Sequence, residues 1–454
     1  LFFTGLDAPL LEPQESRYAE IARELLEAPD WVVPHLNGQP YLDKPPLMYW
    51  LSALSYQLFG VSDFSARLIP SLAAFATVLI VFFWGKSIGG RELGFTAAAI
   101  LALTPQFVYR GRWLSFDSLL CLWVTLSLST AHVAATSRRF WPLWLVSAAA
   151  AGLGLLTKGP VAFVLVGVPL YAARWLWSWP LSIRRWLVWT GVAVGVAAGW
   201  FVAMSQRQDG FVEYFFWKHH VERYVTPFDH QKPFWFYIPE LVFGLLPLVV
   251  LLPKLLKWCS QGQPGGNNTQ REAACFAGLT ALWCVAFFSL SGSKRATYIL
   301  PCFPPLALAL GLYLTTQLSR KAYLWWCKCG LMTLLVLLAL LIFWWPFYTH
   351  KFSMRDAIEP ARKHLSEDTS VLCYPRMWDG VPYYLRRSDV RAYRSEELTY
   401  MIEDIQRTAR ALLVVKPAQV REVLEVLPET RIAIEIARNS EVVVLLVSSK
   451  LENP

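Results

Sequence analysis

The residues able to do chemistry gather in a few short polar stretches between long apolar ones. Glu12, Glu15, Arg17, Asp43 and Lys44 lie in the first forty or so positions, Asp117 sits in GRWLSFDSLL and Lys158 in LLTKGPVAF. His219, His220 and Arg223 share HHVERY, and Lys294, Arg295 and Tyr298 share SKRATY. Carboxylates can accept protons or ligate cations. Lys and Arg bind anions, with charge-assisted hydrogen bonds to phosphate among the strongest available. Where such cations stand matters more than their excess, and on the outer face they would suit an anionic ligand. The alternative is that single cations snorkel to lipid phosphates. The cysteines have no metal or redox spacing, Cys327 and Cys329 included, and read as small buried hydrophobes.

The elements that must hold these residues are membrane spans. Of 454 residues, 55% are hydrophobic and 17% charged, well below the roughly 25% charged of a soluble protein. The apolar residues fall into blocks such as Leu68 to Trp84, Trp113 to Ala135, Phe140 to Leu156, Val161 to Trp177 and Trp186 to Met204. More follow at Phe234 to Leu252, Ala273 to Leu290, Tyr298 to Leu318 and Cys329 to Tyr348. Each approaches or reaches the ~20 residues that cross a bilayer as helix. The chain is expected to be a polytopic α-helical membrane protein of about eleven spans, the first of them cut short at Leu1. Many of the 22 Trp stand near block ends, as in an interfacial belt.

Loop charge sets the orientation. Arg138, Arg139, Arg184, Arg185, Lys254, Lys257, Arg271, Arg320 and Lys321 occupy alternate loops, joined by Lys86 and Arg91, which assigns those loops to the cytoplasm. The net charge of +9 is accounted for in this way, and no nucleic-acid partner is called for. The segment 7–46, the Lys158 turn, the loop 205–233, the turn 291–295 and everything after Tyr348 then lie outside. Arg17, Lys44, Arg110, Arg112, Lys158, Lys218, Arg223, Lys232, Lys294 and Arg295 therefore stand on the face where the rule disfavours them. An anionic ligand at the outer interface would give them a task.

Two regions outside the spans have their own pattern. In the first, Tyr18, Ile21, Leu25 and Leu26 recur at helical spacing, so 16–27 is expected to lie on the membrane surface as an amphipathic helix. Leu47 to Phe59 reads as a second amphipathic stretch. In the second, short apolar strands at Val371 to Tyr374, Ala411 to Val415 and Val442 to Val447 alternate with helical Arg355 to Leu365, Glu396 to Arg407 and Pro417 to Val426. The expected division is a membrane domain over 1–348, with an outer catalytic loop at 7–46, and a small extracytoplasmic α/β domain over 349–454.

The stretch EPQESRYAEI, with its APDW turn and LDKPP return, resembles the first outer loop of the GT-C glycosyltransferases related to the aminoarabinose transferase of lipid A modification and to protein O-mannosyltransferases. The resemblance runs on through GRWLSFDSLL, LLTKGPVAF, HHVERY, FWFYIPELVFGLLP and SKRATYILPCFPPLAL. It implies a sugar donor linked to polyprenyl phosphate, a cytoplasmic-membrane location and a lipid, protein or glycan acceptor. It also implies that Arg17 and Lys44 hold the donor phosphate, with Lys294, Tyr298 and Arg223 lining the same site. Asp43 and His220 match positions that the family can use for a divalent metal cation.

One departure bears on mechanism: where the family has the Asp of an Asp-Glu pair, this chain has Gln14 followed by Glu15. Gln cannot act as a base. Either Glu15 or Glu12 takes over, or the acceptor is already anionic. Asp117 is the remaining carboxylate placed to face the site. A transporter or flippase for a polyprenyl-linked sugar is the competing reading. It calls for charges or broken helices at the bilayer midplane and for internal repeats, and the sequence offers neither.

Overall fold

A computed structural model describes residues 1–454 apart from 138–139, 227–228, 262–267, 367 and 450–454. Arg138 and Arg139, counted above among the cytoplasmic cations, lie outside the described residues. The chain forms two compact units: residues 1–4, 42–51 and 67–340 make one, and 5–41, 52–66 and 341–454 the other.

Among the described residues, seven helices are long and apolar enough to cross a membrane: 63–102, 116–136, 140–158, 183–207, 269–290, 296–317 and 320–352. An eighth is added if 234–244 and 248–260, bent by 108° at their junction, count as one span. Val161–Leu176 is apolar but shorter. The 40-residue run Asp63–Ala102 is two helices in fact. Gly89 and Gly90 leave helical geometry, Gly90 at φ 79°, and a Cβ on Gly85 would meet the Gly94 backbone at 3.0 Å. Residues nine apart along one straight helix would be separated by roughly 13 Å, so the chain turns back on itself between Lys86 and Arg91. Glycine is needed at both facing positions, because a Cβ on Gly94 would stand 2.6 Å from the Phe82 carbonyl oxygen.

The centre of the first unit is 296–317, the most buried span. It starts as a 3-10 helix, Ala296–Cys302, and continues as Phe303–Gln317. Pro301, Pro304 and Pro305 supply no N–H to that first stretch, which is compatible with a tight irregular start and not with a regular helix interior. Phe116–Thr136 packs against Phe140–Lys158, which packs in turn against Ile183–Arg207. At the latter contact Gly152 lets the backbones meet, since a Cβ there would lie 2.6 Å from the Ala193 oxygen.

The second unit holds a five-stranded sheet. In spatial order the strands are Arg391–Ala392, Thr369–Tyr374, Arg410–Val415, Val443–Ser449 and Arg431–Arg438. Thr369–Tyr374 pairs in parallel with Arg391–Ala392 and with Arg410–Val415; the other pairings are antiparallel. The expected strands are there, and Arg431–Arg438 is one that the sequence reading left out. Its RIAIEIAR alternation is the signal for it: an edge strand, with Ile432 and Ile434 exposed.

A division at residue 348 does not describe these units, because the first loop goes with the sheet. Leu11 bridges to Ser353, and helix Gln14–Glu27 packs against Gly380–Leu385. Nor does this helix present a polar face to water, as a surface helix would: Glu15, Glu20, Arg23 and Glu24 are buried together with Tyr18, Ile21 and Leu25. The polar face is satisfied internally. Arg23 makes two hydrogen bonds to Glu20, at 2.8 and 2.7 Å. Glu24 accepts the backbone N–H groups of Asn37 at 2.6 Å and Gly38 at 3.2 Å, fixing a turn whose two residues both have positive φ.

Candidate active site

A cavity of about 320 Å³ in the first unit is lined by Lys44, Lys158, Arg223, His219, His220 and Tyr298, with an apolar wall that includes Val164, Phe287 and Phe288. Four separate stretches of sequence bring these side chains together. Lys44 arrives from the return of the first loop. Lys158 ends the helix Phe140–Lys158, where Gly159 at φ 73° turns the chain. A Cβ on Gly159 would stand 2.9 Å from His220 Nε2 and from Phe215 Cζ, so the turn must be glycine.

The histidines lie on a π-helix, Glu213–Glu222, that passes into Arg223–Val225. Such wider turns recur at functional sites. Here the wider turn stacks rings five residues apart: Tyr214 and His219 lie 6.2 Å apart at 21°. Tyr298 comes from the 3-10 start of the central span, and its ring faces the Lys158 ammonium at 4.2 Å.

Hydrogen bonds tie the cations into one cluster. Lys44 Nζ lies 2.7 Å and Arg223 Nη1 3.2 Å from the same atom, His219 Nε2. Both neighbours are donors, so Nε2 accepts and the ring proton sits on Nδ1, which is 3.9 Å from Asp43 Oδ1. The Tyr214 hydroxyl donates to that same Asp43 oxygen at 2.6 Å. Arg223 makes a two-point pair with Asp229, Nε to Oδ1 at 3.0 Å and Nη2 to Oδ2 at 2.7 Å. Ser293 Oγ donates to Asp229 Oδ1 at 3.0 Å. Lys158 is paired with Asp117, which is buried at the start of its span.

The electrostatics follow from crowding like charges in a poorly hydrated place. Burial lowers the Lys44 ammonium to about 7, Arg223 and Lys158 adding to the effect and Asp43 partly offsetting it. Burial, then Lys44 and Arg223, push His219 far below its ordinary value, so it is neutral. Burial also opposes the charge of Arg223, but Tyr298 and Asp229 hold it above its usual range. Each of the three lining cations has an acid beside it, Asp43 by Lys44, Asp117 by Lys158 and Asp229 by Arg223, but only the cations line the cavity itself.

The candidate residues distribute as follows. Lys44, Arg223 and Tyr298 line this cavity. Lys294 does not: its buried amine donates to the carbonyl oxygens of Lys232, at 3.1 Å, and Ser291. Asp43 has His219 beside it, whereas His220 turns Nδ1 to the Phe215 oxygen at 2.6 Å and Nε2 to the Lys158 oxygen at 3.4 Å. Among the described residues no group of three or more His, Cys, Asp or Glu gathers as a cation's ligand set would.

Arg17, Glu12 and Glu15 belong to the second unit. Arg17 Nε pairs with Asp379 Oδ2 at 2.9 Å. Glu15 Oε2 accepts the Leu11 N–H at 3.0 Å, and Glu12 Oε1 accepts the Gly380 N–H at 2.5 Å. Burial, with the Asp379 charge added, pushes Glu12 up to about 7. Of the two adjacent histidines the sequence favours His220, and the structure puts His219 at the cations; Asp229 and Asp379 were not singled out. For His219 the i,i+4 spacing to Arg223 was a usable signal. Asp229 and Asp379 carried none.

The fold is that of the GT-C membrane glycosyltransferases: the chain superposes over its full length on ArnT from Cupriavidus metallidurans bound to undecaprenyl phosphate, covering 97% of that chain with a TM-score of 0.84 at 21% identity. The same protein in the apo state gives 0.85. A family profile described as dolichyl-phosphate-mannose-protein mannosyltransferase matches residues 43–202. In sequence the chain is similar to undecaprenyl phosphate-alpha-4-amino-4-deoxy-L-arabinose arabinosyl transferases. It is 33% identical to the one from Edwardsiella ictaluri over 318 residues, 67% of this chain and 55% of the relative. With one of the two from Sodalis glossinidius it shares 34% over 325 residues, 69% and 56%. The chain spans about half the length of the curated relatives it matches.

Proposed function

We propose that this multi-pass membrane protein transfers a sugar of the 4-amino-4-deoxy-L-arabinose type from undecaprenyl phosphate to a lipid acceptor, at the outer face of the cytoplasmic membrane. The observation that carries the reading is the convergence of Lys44, Lys158, Arg223 and Tyr298 on one cavity with an apolar wall. The relatives named above act on such a donor, and the transporter reading draws no support from them.

The chemistry is a displacement at the anomeric carbon. The bond from that carbon to the phosphate oxygen breaks, its electron pair staying with the phosphate, while an acceptor oxygen forms the new bond. Negative charge grows on the phosphate as the bond lengthens, so cations fixed beforehand stabilise the transition state more than the ground state. In this reading Lys44 and Arg223, locked to one imidazole, bind the phosphate. Tyr298 offers its hydroxyl, and Lys158 adds charge at the rim. Asp117 holds Lys158 in place. With a phosphate oxygen as acceptor no proton need be removed, which fits a Gln at position 14, since Gln cannot act as a base. With a hydroxyl acceptor the proton would pass to a carboxylate, and Asp43, Asp117 and Asp229 are tied to the cavity through His219, Lys158 and Arg223. Glu12, Glu15 and Arg17 take the role of building the second unit.

The test is transfer by the purified chain in liposomes from undecaprenyl-phosphate-linked sugar to added acceptor lipids, followed by mass spectrometry. Appearance of the sugar's mass on one lipid, abolished in Lys44→Ala protein of unchanged melting temperature, is expected. Donor binding without transfer to any lipid, protein or glycan acceptor offered would overturn the reading.

A further inference from the structure

A second cavity of the first unit, about 360 Å³, shares no lining residue with the one around Lys44. It lies between the helix Arg320–Ala339, the returning arm of the Gly89–Gly90 hairpin and the bent corner at Leu245–Leu248. Arg320–Ala339 presents Tyr323, Trp326, Gly330 and Leu334 to it. Cys327, Cys329, Leu331 and Thr333 flank them, so a broad face of the helix lines the space. The span that contains this helix has only 11% of its apolar window buried within the protein. Most of its surface faces lipid, and an apolar chamber beside it is in contact with hydrocarbon.

The hydroxyls of Thr104 and Thr333, which also line the chamber, are spent on carbonyls of their own helices, Ile100 and Cys329; the hydroxyls that meet across it lie at one end. Thr96 and Tyr323 share a hydrogen bond of 2.8 Å across it. One helical turn further out, Arg320 pairs with Glu92 at 3.2 Å. Next to that pair stand Arg91 and Lys321, both exposed and neither with an acidic partner among the described residues. Arg320 and Glu92 cancel, so this end carries the charge of Arg91 and Lys321. Moving outward from the cavity, the order is hydrocarbon-lined space, two hydroxyls, an ion pair and two unbalanced cations. That is the polarity profile of a lipid, from acyl chain through glycerol esters to an anionic head.

We infer that this cavity is a binding site for one acyl chain of an anionic glycerophospholipid, whose phosphate lies against Arg91 and Lys321. A zwitterionic lipid would bring its ammonium group towards the same two cations and lose the attraction, so selectivity for net negative charge is part of the assignment. On the loop-charge reading of topology, the lipid belongs to the cytoplasmic leaflet, across the membrane from the sugar-transfer cavity. The assignment does not depend on the reaction catalysed at the other cavity.

Native mass spectrometry of delipidated full-length protein tests it, with phosphatidylglycerol, phosphatidylethanolamine and undecaprenyl phosphate added separately at equal concentration. Phosphatidylglycerol adducts at least tenfold more abundant than phosphatidylethanolamine adducts are expected. Gly330→Leu should abolish them, because a Cβ at Gly330 already lies 3.4 Å from Leu103 Cδ1 and the rest of the side chain must enter the cavity. Ala99→Phe fills the opposite wall and serves independently if Gly330→Leu fails to fold. Arg91→Gln with Lys321→Gln, two surface changes, should keep binding but remove the tenfold preference. Equal binding of the two phospholipids by the parent protein would overturn the inference. So would phosphatidylglycerol adducts that persist in Ala99→Phe, or loss of undecaprenyl phosphate in place of phosphatidylglycerol from the filled variants, which would give the cavity to the isoprenoid carrier.

Discussion

Asp229 grips Arg223 through both carboxylate oxygens, at 2.7 and 3.0 Å, and one of those oxygens also accepts from Ser293 at 3.0 Å. One aspartate therefore orients a guanidinium at the cavity and fastens it to the turn that carries Ser293, which also lines the cavity. Nearby backbone contacts reinforce the clasp: Lys294 N–H donates to the His230 oxygen, and Gln231 bridges to Ser293. Asp229→Asn should weaken donor-phosphate binding roughly ten- to a hundredfold, the range for losing a charge-assisted two-point pair. Asp229→Glu should recover part of it. Equilibrium binding of undecaprenyl phosphate measures both; an unaltered Kd in Asp229→Asn would show that Arg223 holds its position without it.

Lys44 supplies a pH signature. Its ammonium is lowered to about 7 by burial, and phosphate binding favours the protonated form. Binding above pH 7 must then take up a proton. Affinity should fall by about tenfold per unit between roughly pH 7.5 and 9, where the phosphate itself no longer titrates. Lys44→Arg, charged throughout this range, should flatten the profile. Isothermal titration in buffers of different ionisation enthalpy would detect the proton directly, and its absence in the parent protein would remove Lys44 from phosphate contact.

Glu12 is shifted the other way, upward, and its pH signature falls on stability. Its folded value of about 7 lies above the ordinary 4.5. The native state thus holds a proton that the unfolded chain has released between those values, so this group's contribution is present below about pH 4.5 and is lost as pH rises through 7. At pH 8 Glu12→Gln should stabilise the second unit by about 1–3 kcal/mol, and at pH 4.5 it should change little. Thermal unfolding at the two pH values checks it.

Glu15 is the carboxylate next to Gln14, and its structural partner is the Leu11 N–H. Glutamine can accept that hydrogen bond as well. Glu15→Gln should therefore transfer at the parental rate, while Glu15→Ala should lower stability by about 1–2 kcal/mol. A single-turnover rate reduced tenfold or more in Glu15→Gln would make Glu15 a base after all. Gln14→Asp, measured alongside, shows whether the acceptor needs one: a faster reaction means it does.

The sequence by itself determined the membrane class, the position of most spans, the three central strands of the sheet and the presence of a set of cations on the face where loop charge disfavours them. These properties are local or additive. Twenty apolar residues make a span wherever they occur, RALLVV makes a buried strand, and a cation on the disfavoured side of the membrane is conspicuous in the linear text. Tertiary structure decided what each charged residue does. Arg17 and Lys44 look alike in one polar segment, yet Arg17 neutralises Asp379 while Lys44 meets His219. His219 and His220 are adjacent, and only the wider turn of the π-helix selects which imidazole reaches Lys44 and Arg223. The helix Gln14–Glu27 has the period of a surface helix, but a buried Glu20–Arg23 pair and a loop capped by Glu24 let it sit inside the second unit. An ion pair forms across more than three hundred residues as readily as across three. Its partner is set by where the chain folds, which the spacing of charges in the sequence does not record.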